Sequence, residues 1–548
     1  MKKMFRKAIA VLLCVALFVS AVPMAFAANK DFTKPVHGEA KTASKAEKVL
    51  LDGVDVVLNA LINTINLFTH TPRGWEKETN YSKDGFTEGQ AEFLDAPADN
   101  AVWSMGYARA SITEGQDIMD GKHYVAGSLS VTDKIVTKVY DEQFVRTIAM
   151  NDGSGRGTVV FCVIDGYGMS STDVRAIRKE LSDYCAQNGI AAVNITVLHQ
   201  HSAVDTFGLN GPLFSELLNP WRDLLGKKMI NGQNETYMRN LFDKTEQSVK
   251  DAVAAMKTGK LFFSTVDASA FVRDKRPAFV MDTDMNLFRF IPDDGSRQIW
   301  FSTYTAHCVG NGAGGTEVTA DYPLYMEQTI NEQANADFML FLGAEQGTSQ
   351  VKDSIEGIEE AEQQELGSVK LYGKTLANLL IAKGRENEVE VAPLLNVAYK
   401  EVLFSISNPI LTFAGKMGLV TNKVVRAGFG KYRVVSEIGY MELGNDLALA
   451  FVPGELAAEL AYGGTLPASQ SWSGKDWVYP TMQEQVGERQ LLVLGIMNDQ
   501  VGYIIPGNDY MALLYGQNKS LELVALGKNT AAELSDAFGA LVEECKAK

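Results

Sequence analysis

The chain has 548 residues, 46% of them hydrophobic, and carries 51 basic against 67 acidic groups for a net charge of −16. That length and apolar share are enough for a large folded core of one to three domains, and the acidic balance argues against a nucleic-acid partner and against charge-driven binding to anionic lipid. The five cysteines form neither a CxxC zinc pattern nor a disulfide framework.

Lys2, Lys3, Arg6 and Lys7 precede an apolar stretch from about Ala8 to Val19, and Ala25-Phe26-Ala27 is a small-x-small cleavage site. This predicts a secretory signal over residues 1–27 and an extracellular, mature start near Ala28. Cys14 follows Leu13 inside the apolar stretch, which is not a lipidation pattern. Removing residues 1–27 takes away four basic and no acidic groups, leaving 47 against 67, a balance of −20. Residues 28–44 are polar and rich in Lys and Ala, a flexible leader; residues 45–548 form the expected catalytic domain. Residues 46–68 predict a strongly apolar helix, either docked on the core or presenting a surface that meets lipid. Residues 393–420 are apolar again, with the same two readings.

From about residue 100, strand-like and helix-like segments alternate. Thr158–Asp165 reads as a buried strand closed by Asp165-Gly166. A helix follows over about Thr172–Gln187, capped by Ser171 or Thr172 and stopped by Gly189. The next run, Val193-Asn194-Ile195-Thr196-Val197-Leu198-His199-Gln200-His201, alternates apolar and polar residues. A strand through it puts His199 and His201 on the face shared by Val193, Ile195 and Val197. Further apolar runs, Ile299–His307, Phe338–Glu345, Leu447–Glu455 and Leu491–Asn498, each end in polar residues. Ligand sites in α/β sheets form where strand ends meet connecting loops, so His199, His201, His307, Glu345 or Ser349, Glu455, Asn498 and Tyr503 are candidates for one cleft.

His199, His201 and His307 are the imidazoles placed to hold a metal; two hydrogen-bonded histidines are the alternative. Glu455, in Pro453-Gly454-Glu455 before a helix Leu456–Leu460, is a candidate carboxylate or a first-turn glutamate complementing the helix dipole. Ser349 lies outside any GxSxG elbow, which excludes the usual serine-hydrolase reading. Gly310–Gly315 (GNGAGG) lacks the Lys-Ser/Thr of a phosphate loop.

Taken in order, these landmarks resemble the neutral/alkaline, non-lysosomal ceramidases, zinc amidases that split ceramide into sphingosine and a fatty acid. The likeness runs from Gly106 to Tyr515. His199-Gln200-His201-Ser202 resembles the family's HTHS, Val272-Arg273-Asp274 its Asn-Arg-Ser, and His307 the end of its W-F-x-V-H. Thr319-Ala320-Asp321 resembles its Ser-x-Asp, and Gly347-Thr348-Ser349-Gln350 its G-D-x-S-P. Pro453-Gly454-Glu455 matches its PGE, and Asn498 to Tyr510 resembles its N-x-Y-x-x-Y segment.

The resemblance implies one large α/β (α+β) domain with two stacked central sheets flanked by helices, and residues after Tyr515 too few for the family's C-terminal immunoglobulin-like domain. It implies Zn2+ held by His199, His307, Glu455 and Tyr503. His201 would carry protons, Arg273 and Tyr515 would stabilise the oxyanion, and Ser349 would be nucleophile or substrate-positioning residue. The implied substrate is a lipid-like N-acyl amide, with transient membrane-surface contact and no nucleic acid. Ala203-Val204-Asp205-Thr206 stands where the family has GPGG, Gln350 replaces its proline and Gln500 its middle tyrosine. These departures keep two alternatives in view: an amidase for another N-acyl amide, and a non-catalytic lipid-binding protein of the same fold.

Overall fold

The computed structural model describes residues 44–127, 133–212, 230–274, 276–312, 314–344, 349–351, 355–513, 515 and 521–547. The expected signal and all of the leader but Ser44 lie outside the described residues. So does Glu345.

Strand Thr158–Ile164 is buried at every position, as a continuous apolar run must be when both sheet faces are covered. It pairs antiparallel with Phe144–Asn151 and parallel with Ile190–Val197. These strands end a sheet that continues through Trp103–Ser111, Lys257–Asp267, Asp284–Pro292 and Gln298–Tyr304 to Ala336–Leu342, with Val389–Val391 beside Lys257–Asp267. A second sheet runs Leu395–Ser405, Lys431–Leu443, Leu447–Phe451, Gln490–Leu494, with Val424–Gly428 on Lys431–Leu443. The two sheets stack face to face. Phe161 of the first meets Phe451 of the second edge-on at 5.8 Å. Ile148, Phe288 and Phe301 face Met441, Leu449 and Leu494 around a small apolar void of about 20 Å³ between the layers.

Helices cover the outer faces. Glu235–Ala254 lies on Trp103–Ser111 and Phe144–Asn151. Gly106 permits that approach, because a Cβ there would sit 2.1 Å from the Ala252 carbonyl oxygen. Asp321–Gln333 packs with Gly367–Lys383, and Thr530–Lys546 covers Leu395–Ser405. The expected class, a large mixed α/β domain with stacked central sheets and flanking helices, is the class observed.

Two local expectations differ. The helix expected over 172–187 is two helices, Ser171–Glu180 and Ser182–Asn188, with Leu181 between them. Ser170 is the cap, accepting from the Asp173 N–H, and Gly189 ends the pair at φ 63°. The His strand stops at Val197, so His199 and His201 reach the cleft from a turn rather than from one strand face.

Candidate metal centre

Four strand ends arrive together. The Gly495 N–H donates to the Leu342 carbonyl at 2.8 Å, tying the sheets at their edge. The Asn498 side chain accepts from the Ile195 N–H at 2.8 Å, and its own N–H donates to the Ile195 carbonyl at the same distance. The strand before His199 is thereby clamped to the segment that leads on to Tyr503.

The turn after Val197 is built by Gln200. Its side-chain amide donates to Asp165 Oδ1 at 2.9 Å and to the Ala320 carbonyl at 2.7 Å. Asp165 pairs with Arg146 at 3.0 Å, and Arg146 with Glu327 at 2.6 Å. All three are buried, so this network fixes the turn from below; removing one partner would strand a buried charge. The His201 N–H donates to the Cys308 carbonyl at 3.1 Å, which brings the His307 loop alongside. His199 adopts φ 48°, a region that residues with a Cβ seldom enter. Stacking of Tyr167 on its ring, with centroids 4.5 Å apart, holds it there.

The result is a group of three buried imidazoles, His199, His201 and His307, with ligand atoms all within 4.8 Å of one another. His201 Nε2 and His307 Nε2 face each other at 2.6 Å. The His199 Nδ1 lies 2.7 Å from the Tyr167 carbonyl and donates to it. That fixes the tautomer and leaves the Nε2 lone pair pointing inward. Glu455 Oε1 lies 3.4 Å from that Nε2.

Glu455 is not a first-turn helix residue. It sits in a two-residue strand that pairs in parallel with Tyr503–Ile504, Glu455 directly opposite Tyr503, and the helix begins only at Ala458. The Tyr503 hydroxyl hydrogen-bonds Glu455.

Burial sets the charge state here. It pushes His199 down to about 4 and Glu455 up to about 8, the latter against the lowering bond from Tyr503. His201 is pushed well below its ordinary value by burial first, then by His307 and His199. His199 and His201 are therefore neutral at pH 7, the form that ligates metals. His199 Nε2 and Glu455 Oε2 are buried without a hydrogen-bond partner, and buried polar atoms of that kind call for an ion or a water. The three imidazoles form a group that could hold a metal ion, with the Glu455 carboxylate 3.4 Å from one of them.

Next to this point opens an apolar cavity with about 700 Å³ of empty space, mouth included. Tyr167, Glu455, Gln500 and Tyr503 form its polar end; Leu411, Val434 and Leu526 are among its apolar walls. Residues 393–420 supply part of the wall through Ile406, Leu411, Gly415 and Val420.

The other expected site residues sit on other elements. Arg273 and Ser349 meet on a separate two-stranded ribbon, Arg273 opposite Gln350 and Ser349 opposite Asp274; the side chain of Ser349 lies outside the described residues. Tyr515 packs on Trp472 with ring centroids 4.8 Å apart. Two residues at the centre, Tyr167 and Gln200, were given no role in the sequence, and Gln500 was noted there only as a departure from the family's middle tyrosine. Gln500 Nε2 lies 3.2 Å from His199 Nδ1. Tyr167 follows Asp165-Gly166 at a strand end, the same signal that marked His199 and Glu455.

The departure from GPGG has a defined structure. Asp205 is fully buried and accepts from the N–H groups of Phe207, Gly208 and Asn210 at 2.9, 2.8 and 2.7 Å. It shapes a loop whose Phe207 and Leu209 form a further wall of the cavity.

No protein-family model and no curated protein sequence matches the chain. Solved structures do. A ceramidase complexed with C2 superposes with a TM-score of 0.60 at 13% identity, covering 82% of this chain and 76% of that one. The neutral ceramidase from Pseudomonas aeruginosa superposes with a TM-score of 0.58 at 15% identity, over 81% and 75%. The chain has the neutral ceramidase fold.

Proposed function

We propose that this protein is an exported, zinc-dependent amidohydrolase that cleaves the N-acyl bond of ceramide or a related lipid amide. The observation that carries the reading is the juxtaposition of buried, unsatisfied metal-type donors with an apolar cavity. His199, His307, Glu455 and Tyr503 would hold the zinc. Bound there, zinc supplies a Lewis acid that polarises the amide carbonyl and lowers the pKa of water towards about 7.

The chain's own residues do the rest. The Tyr167 carbonyl keeps His199 in its ligand tautomer. Neutral His201 takes a proton and returns it to the leaving amine. Arg273 and Tyr515 stabilise charge on the acyl oxygen, and Ser349, on the same ribbon as Arg273, positions a substrate hydroxyl or acts as nucleophile. The cavity takes the acyl chain and keeps water from it.

One observation favours a substrate other than ceramide itself. The Asp205 loop, where the chain leaves the family pattern, shapes the cavity wall. A panel of N-acyl lipids and N-acyl amino acids tests this. Turnover of another amide with none of ceramide selects the related-amide reading.

Metal analysis tests the centre. The purified protein should carry one zinc, lost in His199→Ala together with turnover. His201→Gln should keep the zinc and lose turnover; loss of both would make His201 a ligand. A protein that binds lipid but holds no metal would be a lipid carrier of this fold, and the enzyme reading would fall. Appearance of the mature chain outside the cell, beginning near Ala28, tests export.

A further inference from the structure

The helix Lys45–Phe68 is long and apolar enough to cross a membrane, yet only 11% of its most apolar window is buried. Leu51, Val54, Leu58, Ile62 and Ile65 are half-buried or buried, as on an ordinary docked helix, but a second apolar stripe is left uncovered. At 100° per residue, Val49, Leu50, Gly53, Val56, Val57, Ala60, Leu61, Leu67 and Phe68 fall in one arc of about 140°, and all are exposed. Val56 is 68% and Phe68 74% exposed. Thr64 lies in the same arc, but its hydroxyl donates back to the Ala60 carbonyl at 2.8 Å. No ionisable side chain occurs in this arc.

The opposite arc, about 80° wide, carries Lys48, Asp52, Asp55, Asn59, Ile62 and Asn66, and it docks the helix. Lys48 donates to the Ser471 carbonyl at 2.8 Å, and Asp52 accepts from the Trp472 indole at 2.8 Å. Asp55 accepts from the Leu513 N–H at 2.9 Å, and Asn66 donates to the Pro409 carbonyl at 2.8 Å. Five turns of spacing are thus pinned by polar atoms, and the uncovered stripe is held outward along the full length.

We infer that this outward stripe is a docking surface for a lipid bilayer, with the helix lying in the plane of the interface. A span is excluded by the docked arc, since Lys48, Asp52 and Asp55 in the N-terminal half and Asn66 in the last turn are all engaged with the protein body. A second copy is the competing occupant, and the lipid-free dimer outcome below tests it. Lipid fits on two further grounds. The stripe has the uncharged apolar character of a helix seated at the headgroup–acyl boundary. The helix also rests, through Asn66, on the Pro409–Met417 helix, which lines the apolar cavity with Leu411 and Gly415. A protein seated this way would hold that wall of the cavity next to the lipid layer. With an overall negative charge, attachment must come from apolar burial rather than from anionic headgroups.

Flotation of the full mature chain with phosphatidylcholine vesicles tests the inference, and it reads no turnover, so a failed amidase assay leaves it standing. The wild type should float with the vesicles, equally at about 0.05 M and 0.5 M salt. Leu50→Glu combined with Val57→Glu should cut vesicle partitioning at least tenfold with an unchanged melting temperature. Val49→Ser with Leu50→Ser, which adds no charge, should cut it several-fold. A wild type that stays unbound, or variants that float as well as it does, would overturn the inference. So would attachment lost in high salt, or a lipid-free dimer that the glutamate pair dissociates.

Discussion

Residues 46–68 and 393–420 read alike in the sequence, two apolar segments that each suit either the core or a lipid surface. The fold sends them opposite ways. The second becomes the strand Leu395–Ser405 and the helix Pro409–Met417, with Leu411 and Gly415 turned to the cavity beside Glu455. The first becomes a helix with an apolar face outward. Hydropathy does not separate them; polar partners do. Asn408 caps its helix through the Ile410 N–H at 2.9 Å and donates to the carbonyls of Leu523 and Ala525, each at 2.9 Å. That anchor leaves apolar side chains the inward positions. On the first helix, the atoms with partners in the protein body are Lys48, Asp52, Asp55 and Asn66, and they take the inward side themselves.

Breaking the inward anchor should have the largest effect. Asn408→Ala removes a helix cap and strands buried carbonyls, a loss of about 2–4 kcal/mol. Urea unfolding checks it, and a loss below about 0.5 kcal/mol would mean that apolar packing alone turns the segment inward. Next is a variant that fills the cavity. A Cβ on Gly415 would meet Trp75 Cζ2 at 3.0 Å, so Gly415→Leu must put its side chain into the open space. If the cavity takes the acyl chain, turnover of long-chain amides should fall about tenfold, some 1.4 kcal/mol, while short-chain amides are spared. Equal loss on both would place the acyl chain elsewhere.

The same logic explains how far the sequence could be read. The strands were legible because they are continuous apolar runs such as Thr158–Ile164 and Leu447–Phe451, while their stacking as two sheets was implied by the family resemblance. Each ends in polar residues, and following those ends led to His199, His307 and Glu455, which the fold does bring together with Tyr503. The turn geometry was not legible. A period of two put His199 and His201 on one strand face, whereas a left-handed His199 and the hydrogen bonds of Gln200 aim the two rings by another route. Gln200 drew no role in the sequence because its partners, Asp165 and Ala320, are distant along the chain. The Glu455–Tyr503 pairing escaped notice for a similar reason: two-residue strands leave no periodicity. Arg273, Ser349 and Tyr515 rested on motif order, and order along a chain carries no distance.

A smaller effect is expected where the outward helix is pinned. Asn66→Leu removes the bond to the Pro409 carbonyl and should cost about 1 kcal/mol. Hydrogen exchange should speed up in residues 60–68 while the sheets keep their protection. If exchange rises across the whole domain instead, the helix is part of the cooperative core and the contrast between the two segments is weaker than drawn.

The smallest effect tests the contrast most sharply, because it reverses an ordinary expectation. Val to Ser in an apolar helix stripe usually destabilises, since the methyl groups leave a core. Val57 is 66% exposed, so in lipid-free solution Val57→Ser should change unfolding stability by no more than about 0.5 kcal/mol. Ile62, on the docked arc of the same helix and 7% exposed, provides the internal control: Ile62→Ser should cost clearly more, about 2 kcal/mol. Two substitutions five residues apart would then report opposite faces of one element. Equal losses would mean that Val57 is covered in the free protein, and a stripe already covered is not available to a bilayer. A near-zero loss at Val57 beside a clear loss at Ile62 leaves the apolar face with no partner inside the chain.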